Sequence, residues 1–130
     1  MNLVDTSGWL EYFADTASAK HFARVIESTS SLIVPTIVIY EVFKKVRGEF
    51  GEDKAFVAVA QLKLGLVTPV DEAVAMLGAK LSADLKLPMA DALIYATAQL
   101  RNATVYTQDA HFDGLPGVRY FGKADLPHNT

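Results

Sequence analysis

The chain has 130 residues, 51% of them hydrophobic, a formal net charge of −3 and no cysteine. That length and apolar content predict one domain over residues 1–130 with a single core, and exclude an intrinsically disordered chain. The lack of cysteine excludes a disulfide scaffold, a thiolate zinc site and a cysteine nucleophile, and the slight acidity speaks against a broad nucleic-acid-binding face while leaving room for a local basic rim.

In chain order, Met1-Asn2-Leu3-Val4-Asp5 opens without a basic region ahead of an apolar stretch, and no apolar run approaches the length of a membrane span. The expected setting is therefore the cytoplasm, with no membrane partner. A short strand is expected over residues 2–4, with a helix starting just after Asp5. Its Trp9, Tyr12 and Phe13 read as core or dimer contact before base stacking. Ala19, Phe22, Val25 and Ile26 predict a helix over 17–27. A strand over 32–34 precedes Pro35, after which Thr36 to Phe43 are apolar all round except at Glu41, so the first two turns of that helix are expected to be buried. Gly48 to Glu52 reads as a turn between helices around 36–50 and 52–64. After a strand over 66–68, Val74, Leu77, Leu81 and Leu85 mark an amphipathic helix over 71–86 that should cover one sheet face. Pro88 precedes a second helix expected to be buried on every side, Met89 to Ala96, whose single acid is Asp91. Strands are expected over 104–106 and 118–121. Alternating short β-branched runs and helices predict an α/β fold on a mainly parallel sheet of five strands.

Four carboxylates stand out. Asp5 suits a helix N-cap, Glu41 a pair with Lys45, Asp91 the first turn of a helix and Asp109 a turn, each worth about 1 kcal/mol or less. For Glu41 and Asp91 that is too little, because desolvating an isolated carboxylate costs several kcal/mol. In a doubly wound sheet, ligands collect outside the strand carboxyl ends where the order reverses. With order 3-2-1-4-5, Asp5 and Asp109 follow neighbouring strands, and Glu41, about 7.5 Å into its helix, needs its longer side chain to reach them. Carboxylates about 5 Å apart repel by roughly 3 kcal/mol per pair at an effective dielectric of 20, so a convergent set demands a cation. With oxygen ligands and no histidine in step, Mg²⁺ or Mn²⁺ is favoured over zinc, and a water acidified by such an ion is a nucleophile for a phosphodiester.

The ordered segments Leu3-Val4-Asp5-Thr6-Ser7, Val34-Pro35-Thr36 with Glu41, Pro88-Met89-Ala90-Asp91-Ala92-Leu93-Ile94 and Thr107-Gln108-Asp109-Ala110-His111-Phe112 resemble the PIN-domain ribonucleases, above all the VapC-type toxins of toxin–antitoxin pairs. The resemblance spans essentially the whole chain. It implies a three-layer α/β/α domain, a homodimer, Mg²⁺ or Mn²⁺ at the acids, cytoplasmic endoribonuclease activity and an inhibitory antitoxin. Asp5 and Asp91 would be the principal metal ligands, Glu41 would position metal or water, Asp109 would complete the acidic pocket, and Thr6 and Thr107 would support it. His111 stands where another charged residue is expected, and His21 and His128 carry no pattern.

Lys44, Lys45 and Arg47 lie on the turns beyond Glu41 and are candidate contacts to the phosphates of an RNA substrate, such as tRNA or another structured RNA. Phe56, Val57 and Val59 give the helices around 36–50 and 52–64 more apolar surface than one sheet face requires, which suggests the antitoxin groove and a dimer contact. A phosphoacceptor signalling domain shares the size and the acidic site, but it would need adjacent acids after the first strand and an Asp ending the third. Here Thr6-Ser7 follows Asp5, and Asp71 reads as a helix start. A catalytically silent scaffold of the same fold is the other rival.

Overall fold

A computed structural model describes residues 1–122, so His128 lies outside the described residues. In chain order the elements are β1 (Asn2–Val4), α1 (Thr6–Ala14), α2 (Lys20–Glu27), β2 (Leu32–Pro35), α3 (Thr36–Phe50), α4 (Glu52–Leu62), β3 (Leu66–Thr68), α5 (Glu72–Leu85), α6 (Met89–Leu100), β4 (Thr104–Thr107) and β5 (Val118–Tyr120). Single turns of 3₁₀ helix occupy Thr29–Ser31 and Ala110–Phe112.

The five strands form one sheet in the order 3-2-1-4-5, and every pairing is parallel. Leu3 stands opposite Ile33 on one side and Val105 on the other, which makes β1 the central strand and places the reversal of strand order between β1 and β4. Leu3, Val4, Leu32, Ile33 and Val34 are buried without alternation. Both faces of the sheet are therefore covered, as a parallel sheet requires.

Local chemistry sets the helix starts. The Asp5 carboxylate accepts from the Gly8 N–H (3.1 Å), and that of Asp71 from the Val74 N–H (2.9 Å), so Asp71 is the helix start its position suggested. Pro35 and Pro88 sit immediately ahead of α3 and α6, and Gly51, at φ 92°, breaks α3 from α4.

Two expectations about packing need correction. Helix α3 is amphipathic: Val38, Val42 and Val46 are buried, but Tyr40 is 60% exposed and Glu41 is only partly covered. A 15-residue helix spanned more than the apolar stretch, and only one of its stripes meets the core. Helix α5 packs chiefly on α6 rather than on the sheet, and Leu85 stays exposed. Gly78 allows that approach, since a Cβ there would lie 2.8 Å from Leu93 Cδ2. Helix α6 fits its expectation better, burying Ala92 and the run from Ile94 to Ala98, although Met89 is exposed. Among the described residues, no helix is long and apolar enough to cross a membrane.

Candidate active site

Asp5 sits where β1 hands over to α1, and only 2% of it is exposed. Its backbone N–H extends the β1–β4 pairing by donating to the Tyr106 carbonyl (3.2 Å). The carboxylate is gripped from both flanking segments: Ser7 Oγ donates to Oδ1 (2.7 Å) and Thr107 Oγ1 donates to Oδ2 (2.7 Å). Burial nonetheless pushes its pKa from 3.8 up to about 6, against the lowering effect of Thr107, Ser7 and the Gly8 N–H, with Asp109 adding repulsion.

Beside it, Asp91 from the first turn of α6 meets Asp109 and His111 from the segment after β4. One donor atom from each of these three lies within 4.8 Å of the others. His111 Nδ1 is 2.9 Å from Asp109 Oδ1 and 3.2 Å from Asp91 Oδ2. Asp109 is itself fixed: its N–H donates to Thr107 Oγ1 (2.9 Å), and its carboxylate accepts the His111 N–H (2.9 Å). The Asp91 pKa rises from 3.8 to about 7, first through desolvation, then through the charge of Asp109 and a hydrogen bond with it, then through Asp5, with His111 pulling the other way.

Glu41 reaches the rim by another route, its Oε1 accepting from Thr6 Oγ1 at 2.5 Å. Thr6 directly follows Asp5, so that hydroxyl ties α3 to the end of β1. The acids thus form a graded set. Asp91 and Asp109 are in close contact with His111, Asp5 joins them through the Thr107 hydroxyl, and Glu41 lies outside the tight group.

Sequence reasoning missed two members. Ser7 braces both sides, donating to Asp5 and accepting the Gln108 N–H (3.0 Å). Its place two residues after Asp5 was the available signal. The expectation that no histidine is in step is overturned by His111, because a one-turn 3₁₀ helix returns its imidazole to the Asp109 carboxylate.

A PIN domain family profile matches residues 3–118. The chain belongs to the PIN domain family. Among solved structures, this PIN domain is similar to a toxin–antitoxin complex from Klebsiella pneumoniae, with TM-score 0.76 and 24% identity over 92% of this chain and 96% of that one. It is also similar to DNA-bound VapBC from Salmonella typhimurium, with TM-score 0.72 and 17% identity over 94% and 98% of the two chains. A third neighbour is Mycobacterium tuberculosis VapC20, a sarcin–ricin loop cleaving toxin, with TM-score 0.69 and 17% identity over 87% and 92%. No curated protein matches the sequence.

The donor set of this PIN domain fits a divalent cation. Among the described residues no lysine or arginine forms an ion pair with Asp5, Asp91 or Asp109, and His111 is the only side chain paired with the last two. Burial raises the pKa of both Asp5 and Asp91, and the negative charge of Asp109 adds to both shifts. Oxygen-rich, partly open clusters of this kind suit Mg²⁺ and Mn²⁺.

The basic residues beyond Glu41 part company. Lys45 pairs with Glu49 (2.9 Å), not with Glu41, and lines a groove of about 780 Å³ between α1, α3 and α4. Lys44 lies over the Tyr40 ring, 5.8 Å from its centroid, and Arg47 is exposed. Phe13, Val46 and Phe50 help to form the groove, along with Val57, which is 70% exposed. Trp9 is fully buried in the core, while Phe13, stacked on it at 5.6 Å, and Tyr12 are partly buried and pack against that core.

Proposed function

We propose that this PIN domain, acting as a single domain over residues 1–130, is a divalent-metal-dependent endoribonuclease and the toxin of a toxin–antitoxin pair. The observation that carries the reading is the convergence of Asp5, Asp91 and Asp109 at the switch point of the sheet, with too little positive charge beside them. A divalent cation bound there would supply Lewis-acid stabilisation of the phosphoryl charge and lower the pKa of a water.

The chain's own residues supply the rest. Asp5 and Asp91 hold the cation, and Asp109 completes the pocket. Thr107 and Ser7 keep Asp5 oriented, and Thr6 holds Glu41 at the rim, where its carboxylate positions the cation or the attacking water. Lys44 and Arg47 contact the phosphates of an RNA substrate, for which tRNA and other structured RNAs are the candidates. Lys45, whose exposed ammonium also meets Glu49, is the third candidate for these contacts.

The groove between α1, α3 and α4 is the proposed seat of an antitoxin segment, with apolar walls for an amphipathic helix and Lys45, Lys54, Glu11 and Glu49 for polar anchoring. Toxin–antitoxin complexes among the structural neighbours support an antitoxin partner. A homodimer and a cytoplasmic setting complete the reading.

The test is cleavage of a mixed cellular RNA pool by purified protein, with Mg²⁺ or Mn²⁺ and then with chelator. Metal-dependent cleavage by the wild type is expected, with a loss of at least about 100-fold in Asp5→Asn. No cleavage by the wild type leaves a catalytically silent scaffold, and equal cleavage by Asp5→Asn moves the chemistry elsewhere.

A further inference from the structure

Mg²⁺ was an open choice in the sequence because every recognised donor was oxygen. The folded chain adds a nitrogen, and the way it is delivered is specific. Asp109 caps the 3₁₀ turn Ala110–Phe112, accepting the His111 N–H on the same Oδ1 that faces His111 Nδ1. Phe112, the next residue, is fully buried and packs edge-on against Tyr95 at 6.2 Å. The Tyr95 hydroxyl in turn holds the Pro116 carbonyl (2.6 Å), and the Leu115 N–H donates back to Phe112 (3.1 Å). The turn is therefore anchored on both sides of the imidazole, although the His111 side chain is 56% exposed.

The separations Nδ1 to Asp109 Oδ1 (2.9 Å) and Nδ1 to Asp91 Oδ2 (3.2 Å) are those of neighbouring corners of an octahedron. Ligands about 2.1 Å from a common cation stand about 3.0 Å apart when they are adjacent. Two oxygens and one nitrogen, all within 4.8 Å of one another, could therefore share a single cation, with Asp5 close by through the Thr107 hydroxyl. Imidazole nitrogen binds first-row transition cations far better than it binds Mg²⁺, whereas carboxylates serve both.

We propose that His111 is a nitrogen ligand of this centre and that it makes the centre prefer transition-metal cations to Mg²⁺. The inference rests on the metal-nuclease reading and goes beyond it by assigning the ligand and the selectivity.

Mn²⁺ is the probe. Binding to the full chain is followed through the free-ion electron paramagnetic resonance signal, Mg²⁺ is measured by competition, and nitrogen coordination is read from ¹⁴N modulation of the spin echo. The comparison is wild type, His111→Ala and His111→Asp, with thermal unfolding followed by circular dichroism to confirm that the variants fold, as the exposure of the ring predicts. Expected are a ¹⁴N modulation in the wild type that vanishes in both variants, a loss of Mn²⁺ affinity of about ten-fold or more in His111→Ala with Mg²⁺ affinity little changed, and a shift of preference toward Mg²⁺ in His111→Asp.

Three results overturn the proposal. The first is a ¹⁴N signal that survives in His111→Ala. The second is an unchanged ratio of Mn²⁺ to Mg²⁺ affinity. The third is tighter binding of both ions in His111→Ala, which would make His111 a tethered positive charge that competes with the metal. Wild-type protein that binds neither ion overturns both this inference and the nuclease reading. The ¹⁴N-bearing Mn²⁺ complex without RNA cleavage leaves the ligand assignment standing and removes only the nuclease.

Discussion

One hydroxyl joins the two halves of the site. Thr107 Oγ1 donates to Asp5 and accepts the Asp109 N–H, so it sets the spacing between an acid after β1 and an acid after β4. Thr107 is fully buried, and Thr107→Val removes that link while preserving shape. A hydrogen bond to a charged group contributes about 1.5–3 kcal/mol. Thr107→Val is therefore expected to raise the Asp5 pKa above its present value of about 6, as a carboxyl ¹³C titration would read, and to lower metal affinity and cleavage about 10- to 100-fold. An unchanged titration would show that Thr107 serves packing alone. The four acids were visible in the sequence, but their ranking was not. Glu41 and Asp91 looked the most in need of a cation because their neighbours are apolar; in the fold both are partly exposed, and the deeply buried acid is Asp5. Asp109, which the sequence supported least, makes two contacts with His111 and one with Thr107. Burial of a single side chain depends on what the rest of the chain lays over it, and local composition does not contain that.

At the scale of elements, the position of α1 decides whether Asp5 can act. The helix passes β1 and α2 closely at Gly8, where a Cβ would lie 2.5 Å from Val4 Cγ1 and 2.8 Å from Phe22 Cδ1. A β-branched side chain and a buried ring have little freedom to retreat. Gly8→Ala is expected to cost about 1–3 kcal/mol, measurable as a lower denaturation midpoint. Because the Gly8 N–H also caps onto Asp5, metal affinity should fall with it. Wild-type stability in Gly8→Ala would mean that α1 shifts at no penalty. The strand positions were legible to within a residue or so, since β-branched runs bounded by Pro, Gly or Asp identify themselves. Helix faces were less so. Met89 and Tyr40 lie within apolar stretches yet face outward, because a run of apolar residues states that a helix is apolar and not how many neighbours it will have.

For the molecule as a whole, the acid cluster makes stability depend on pH and on metal. Asp5 and Asp91 have folded-state pKa values of about 6 and about 7, above the ordinary aspartate value of 3.8. The native state thus binds more protons than the unfolded state in this range. Its stability contribution from these groups is complete below about pH 4 and is lost as pH rises through 6 and 7. For the buried Asp5 the loss is about 3 kcal/mol. Metal-free protein is expected to show a falling Tm between pH 4.5 and 7.5, and a cation at a hundred times its Kd should restore about 2.7 kcal/mol at the upper end. A Tm that rises over that interval in chelator would contradict the assignment of these two groups.

The α/β class, the strand positions and the identity of the acids were all present in the one-dimensional pattern, because periodicity, turn residues and ordered motifs are local properties. The order 3-2-1-4-5 brings β1 and β4 side by side although about a hundred residues separate them. Only that pairing turns Asp5 and Asp109 into neighbours, and only the anchored turn after β4 returns His111 to them. The carboxylates of the PIN domain could be found by reading the chain. The mutual distances, the unequal burial and the added nitrogen belong to the folded state, because they arise from contacts between residues remote in sequence.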